Sequence, residues 1–372
     1  MERKRSGQRV EFEDIRRRDR RRVTPGRAAV VAAVALLAIL VLAALLLSVK
    51  STGFSTAAEL SGDAFVFEAG ARQHYAAVEN GLAVASSTGL QLMDGSGATV
   101  ARQIFSMDTP RAAACGERAV FYDLGGTAIH IADMKGECTA LPQKNAILAL
   151  TATSTGFLTV CSEDDDYRGC VTVYNKDLTA VYAWFSGSAN VLSAAVSPDG
   201  RTLAILTADS SGSRILLYAL SSEEPLASFE APGELLMELG WLDDDRLCAF
   251  GSSRAVFLDK ECALLTEVPF ADRLCAFGLS EAGFAAFHTE GRLATYDRSG
   301  RQLAALDTDR EILSLSVRGG HLLALYPDEA VLYSRSLAHA GTHAEISDAR
   351  QALLTDSGAL LVQLYCAVPV KF

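Results

Sequence analysis

One strand-turn-strand unit recurs eight times along this chain, and that recurrence limits the fold more than any other feature. Its clearest copy is VLSAAVSPDGRTLAIL, where Pro198-Asp199-Gly200 separates two apolar runs. Pro presets φ for a turn and Gly admits a positive φ, so the pair marks a hairpin between strands. The same arrangement closes at Gly81, Glu117, Gly156, Asp245, Gly283, Gly320 and Gly358. The mean spacing is about 40 residues, the range of propeller blades.

A third run follows each hairpin and usually ends on a polar turn residue, as in GLQLMD, AIHIAD, CVTVYN, AVFLD and LATYD. A fourth, such as TAVYAWF or PLASFEA, completes most units. Runs of four to eight apolar and β-branched residues, with no sustained 3.6-residue period, read as strands. Four antiparallel strands per unit predict an all-β, eight-bladed β-propeller. Seven blades is the alternative if the weakly written unit holding Cys115 is irregular.

The last unit stops after its third strand, at Phe372. An open ring would expose an unpaired edge. A spare segment, residues 63–69 with Phe65-Val66-Phe67, is expected to supply the missing outer strand. The propeller is therefore assigned to residues 63–372.

Ahead of it, residues 28–49 carry no charge and only Ser48 is polar. As a helix they would span about 33 Å, enough for a hydrocarbon core of about 30 Å. A cleaved signal peptide has a shorter apolar region, and Lys50 interrupts the approach to Thr56-Ala57-Ala58, so a retained anchor is expected. Residues 1–27 hold 11 Lys/Arg and 5 Asp/Glu. That asymmetry places the tail in the cytoplasm and the rest outside the cell membrane in a single pass. Residues 51–372 carry 22 basic and 40 acidic groups, and 50–62 form the linker. The Arg16–Arg22 run reads as a topology signal beside lipid rather than as a nucleic-acid arm.

With these features together, the chain resembles an uncharacterised bacterial family of single-pass, membrane-anchored β-propeller proteins, a domain of unknown function. The likeness rests on the basic tail, the apolar segment, Phe65-Val66-Phe67 and CVTVYNKDLTAVYAWFSGSANVLSAAVSPDGRTLAI, and is strongest over residues 171–205. It implies the same topology and fold. It supplies no activity and no catalytic residues.

No nucleophile elbow, HExxH, CxxC or phosphate-binding loop is written in the chain. No catalytic, cofactor or metal residues are therefore assigned. Asp164-Asp165-Asp166 and Asp243-Asp244-Asp245 lack the alternation of a calcium loop and fall between different strand pairs, so they read as solvated turn acids on opposite faces. His339 and His343 sit in a turn and strand, where a four-residue spacing does not favour metal. Cys161 and Cys170 flank a hairpin, CSEDDDYRGC, and are the candidate disulfide; two reduced strand cysteines is the other reading. Cys248, Cys275 and Cys366 read as core residues.

The longest links on one face are Glu163 to Arg168, Trp184 to Asn190 and Asp209 to Ser213. With Asp165 among them, they form the expected partner surface on blades 3 and 4. The function expected is an extracytoplasmic binding or scaffolding module touching an envelope protein or polymer, without cofactor or nucleic acid. A surface hydrolase, or another enzyme with its site at the propeller mouth, is the alternative.

Overall fold

The computed structural model describes residues 64–372 apart from 69, 71 and 347. The basic tail, the apolar segment 28–49 and the linker 50–62 lie outside the described residues. Among the described residues no helix is long and apolar enough to cross a membrane.

Thirty-two strands form eight antiparallel sheets of four. Blades 1 to 8 begin at His74, Pro110, Ile147, Asn190, Leu236, Leu274, Ser314 and Gln351. Blade 4 shows the pattern, with strands Asn190–Val196, Thr202–Asp209, Gly212–Ala219 and Pro225–Pro232. Its second strand is buried without a break from Leu203 to Ala208, because neighbouring blades cover both of its faces. The outer strand alternates between exposed and half-buried residues, as a strand covered on one side should.

The unit holding Cys115 is complete, with strands Pro110–Cys115, Arg118–Asp123, Ile129–Asp133 and Cys138–Ala140. Its three-residue outer strand explains the weak sequence signal. The count is eight.

Eight hydrophobic clusters fill the wedges between adjacent blades, one for each junction. The junction of blades 8 and 1 is among them. There Phe65 and Phe67 pack with Leu82, Val84, Leu353 and Leu360. Phe65 opposes Ala367, Val66 opposes Cys366, and the Phe67 amide donates to the Tyr365 carbonyl at 3.0 Å. The N-terminal segment thus forms the outer strand of the last blade, as expected. Its ladder is two residues long, and Ser357, donating to Asn80 Oδ1, ties the same two blades at their turns.

The polar residues that end the third strands have a shared task. In six blades the side-chain oxygen of Asp94, Asp133, Asn175, Asp259, Asp297 or Ser334 accepts from the amides two and four residues on. The residue three positions on takes a positive φ: Gly97, Gly136 and Gly300 do so freely, whereas Leu178, Cys262 and Leu337 do so against their Cβ. These contacts replace backbone pairing that the tight turn removes. Asp259→Ala, which deletes both acceptances, is expected to lower stability by about 1–2 kcal/mol. Asp272→Ala on the surface should change it by less than about 0.5 kcal/mol; urea denaturation compares the two.

Candidate functional site

Antiparallel order sends the links alternately to two faces. Turns between first and second and between third and fourth strands share one face, the turn face. Links between second and third strands, and from each blade to the next, share the other, the loop face.

On the loop face the links of blades 3 and 4 come together. Trp184, Ser186 to Ala189, Asp209 and Arg214 line a cleft of about 290 Å³, with Glu230 on its wall. Trp184 belongs to the outer strand Ala180–Phe185 rather than to a loop, and is half-buried against Tyr218. Asn190 opens the inner strand of blade 4 and is exposed. The true link is therefore only residues 186–189. Asp209 ends its strand, and Ser211 donates to it through both amide and hydroxyl, which holds its carboxyl below the usual range. Arg214 is paired with Glu230 at 2.7 Å across the same sheet.

The Glu163 to Arg168 link stands beside this cleft without lining it. Its Arg168 amide donates to the Ser186 carbonyl at 2.8 Å, and its Glu163 amide to Ala146 at 2.9 Å. Asp165 is held by Lys144 at 2.6 Å, and Asp164 Oδ1 accepts from the Asp166 and Tyr167 amides. The second acidic triplet lies on the turn face, where Arg298 meets Asp243 and Lys260 meets Asp245. The two triplets are on opposite faces, and each has its own cations.

Of the two readings of Cys161 and Cys170, the structure has the reduced one: both thiols are free. The cause is register. Cys161 opposes Val171, while Cys170 opposes Ser162, so the two side chains leave opposite faces of the sheet. Cys161 joins the core between blades 3 and 4, and Cys170 sits beside the Thr172 hydroxyl. Cys248 and Cys366 are buried, but Cys275 is exposed.

That exposure belongs to a series invisible in the sequence. The inner strands of blades 3 to 6 each carry one extra residue near the loop face, with register slips at Ile147/Ala149, Val191/Ser193, Leu236/Glu238 and Leu274/Ala276. Leu148, Leu192, Met237 and Cys275 are the extra residues. Bulges turn a side chain away from its expected face and gather beside functional sites. Leu148, Met237 and Cys275 are thereby exposed, and Leu235 is exposed just ahead of the blade 5 strand. Apolar side chains thus crowd the loop-face ends of successive inner strands.

Deeper along the inner strands, the Ser193 hydroxyl donates to Glu238 Oε1 at 3.0 Å. Burial pushes the Glu238 carboxyl above its usual range, against the pull of that hydrogen bond. Among the described residues no histidine bonds to either group, so the pair makes no nucleophile-base relay. A carboxyl that ionises harder in the folded chain weakens the fold as pH rises above the ordinary Glu value of about 4.3. Glu238→Gln is therefore expected to be more stable than the parent at pH 8 and equal to it near pH 4. Urea midpoints at the two values test this.

Fold and site define a class: an eight-bladed β-propeller with a recessed, partly apolar loop face. Solved propellers resemble it across most of its length. The Sqt1 structure from Chaetomium thermophilum has a TM-score of 0.61 and 12% identity, covering 84% of this chain and 98% of that one. The C-terminal WD40 domain of Sif2 gives 0.59 and 11%, over 82% and 97%. BamB from Moraxella catarrhalis gives 0.53 and 12%, over 80% and 96%. At such identities the likeness is one of fold alone. No curated protein matches the chain in sequence. Residues 61–339 match the family of unknown function DUF5711, and the chain belongs to that family.

Proposed function

We propose that the protein is a binding or scaffolding propeller tethered outside the cell membrane. Residues 28–49 cross the bilayer once in contact with lipid, the basic tail 1–27 stays in the cytoplasm, and the loop face engages an envelope protein or polymer. The observation that carries this is the cleft of about 290 Å³ that the loop-face links of blades 3 and 4 form, together with Leu148, Leu235 and Met237 exposed at the loop-face ends of the inner strands. Clefts and apolar patches on a rigid scaffold are what binding surfaces are made of. A propeller of the same fold, Sqt1, was solved bound to the N-terminus of the ribosomal protein L10, so this architecture can hold a protein segment.

Ala64 lies against Gly97, in a turn-face hairpin, so the chain enters the closing strand on that face.

Alanine substitutions over Glu163–Arg168, Ser186–Ala189 and Asp209–Ser213 are expected to remove a protein or polymer cross-linked to the wild type in intact membranes. An unchanged set of cross-linked partners overturns the assignment of the surface. Protease added to intact cells should digest the propeller; full protection overturns its placement outside.

A further inference from the structure

The cleft between blades 3 and 4 carries a tryptophan whose polar end the fold does not use. Of the two tryptophans in the chain, Trp241 is buried in an inner strand and donates its Nε1 hydrogen to the Ala195 carbonyl at 3.0 Å. Trp184 is half-buried and lines the cleft, and its Nε1 has no hydrogen-bond partner among the described residues. The enclosed, unpaired side-chain nitrogens among those residues belong to Arg254 and His288, so the Trp184 N–H is reached by solvent. Its ring packs beside Tyr218, with centroids 6.2 Å apart. Tryptophan is favoured where one end is apolar and the other wet, and its N–H there awaits an acceptor.

The rest of the lining offers polar groups of both kinds. Arg214 pairs with Glu230 between the third and outer strands of blade 4, both side chains more than half exposed. Blades 5 and 6 repeat that pair as Arg254–Glu267 and Arg292–Asp307, so by itself it belongs to the scaffold. In blade 4 alone a tryptophan of the preceding blade lines the same cleft. Asp209 gives Oδ1 to Ser211, and its Oδ2, Glu230 Oε2 and the exposed Ser188 hydroxyl have no partner among the described residues. A hydroxyl both donates and accepts, so neighbouring hydroxyls of one ligand satisfy a carboxylate and a guanidinium together, and bonds to ionised groups are the strong ones. The negative face of an indole attracts the C–H groups of a sugar ring. An apolar ligand would leave the charges unpaired, and a simple anion would meet two carboxylates. At about 290 Å³ the cleft lies at the lower end of ligand pockets, about 300–1,000 Å³, and suits a single ring.

We propose that the blade 3 and 4 cleft holds a pyranose ring, with its C–H face against the Trp184 indole and adjacent hydroxyls shared between the Arg214–Glu230 pair and Asp209. The ring comes either from a free sugar or from a glycan chain. This rests on the reading of the loop face as a binding surface and narrows its partner to a carbohydrate.

Calorimetry and tryptophan fluorescence test it on the full chain in a polyoxyethylene detergent, which carries no sugar. The probes are maltotetraose, cellotetraose, mannotetraose and tetra-N-acetylchitotetraose, each beside its monomer. At least one should bind at millimolar concentration or below and shift the emission, a shift that Trp184→Phe removes because Trp241 is buried. Asp209→Asn with Glu230→Gln should weaken binding about tenfold. Gly187→Phe, where an added Cβ meets nothing within 4 Å, should block the cleft with the melting temperature unchanged. Tighter binding of a tetramer than of its monomer assigns the site to a glycan chain, and equal binding to a free sugar. No probe bound at millimolar concentration, or binding unchanged in Gly187→Phe or in the carboxamide variant, overturns the proposal. A protein partner cross-linked through the same links, with no sugar bound, overturns the carbohydrate and leaves the binding surface standing.

Discussion

Phe65→Ala is expected to destabilise the propeller by about 3–5 kcal/mol, the usual cost of emptying a buried phenylalanine site. Phe65 is 1% exposed, and it fills the wedge between the last blade and the first. At about 2 °C per kcal/mol for a domain of this size, the melting temperature should fall by about 6–10 °C. The adjacent Val66, 47% exposed on the other side of the same strand, should tolerate alanine with less than about 0.5 kcal/mol lost. Thermal melts of the two variants separate ring closure from a general sensitivity of the N-terminal segment. Equal effects at both positions would show that burial of this strand does not close the ring. The two-residue ladder makes the test sharp, because little hydrogen bonding is available to compensate for lost packing.

Gly200→Val carries the second large expected effect. Gly200 closes the Pro198-Asp199 turn at φ +71, a conformation that costs an L residue about 1–2 kcal/mol. A Cβ there would also stand 2.4 Å from the Phe157 ring, which comes from the hairpin of the preceding blade. Overpacking adds about 1–3 kcal/mol, so a loss of about 2–5 kcal/mol is expected in urea denaturation. Gly283→Ala, at a similar φ but with only an arginine methylene near 4.0 Å, isolates the backbone part and should lose about 1–2 kcal/mol. If both variants lose the same amount, the Phe157 contact contributes nothing.

These two predictions mark what could be read along the chain. That Gly200 closes a turn followed from Pro198-Asp199-Gly200, since turn chemistry is settled by neighbours in sequence. That Phe157 packs on it did not, because the contact joins different blades. The polar endings of the third strands were visible at Asp94, Asp133 and Asp259, but not that their oxygens brace the following hairpin. The site was read less well. Cys161 and Cys170 seemed matched across a hairpin, and an offset of one residue separated them. Cys275, flanked by Leu, Ala and Phe, looked like core until a bulge turned it outward.

The sequence by itself determined the repeat, the blade count within one, the strand that closes the ring and the family, because each depends on spacing and side-chain type within a short stretch. Only the tertiary structure decided that the count is eight, where the bulges fall and which links share a cleft. Register and packing between blades set those, and a slip of one residue reverses the face of every side chain that follows.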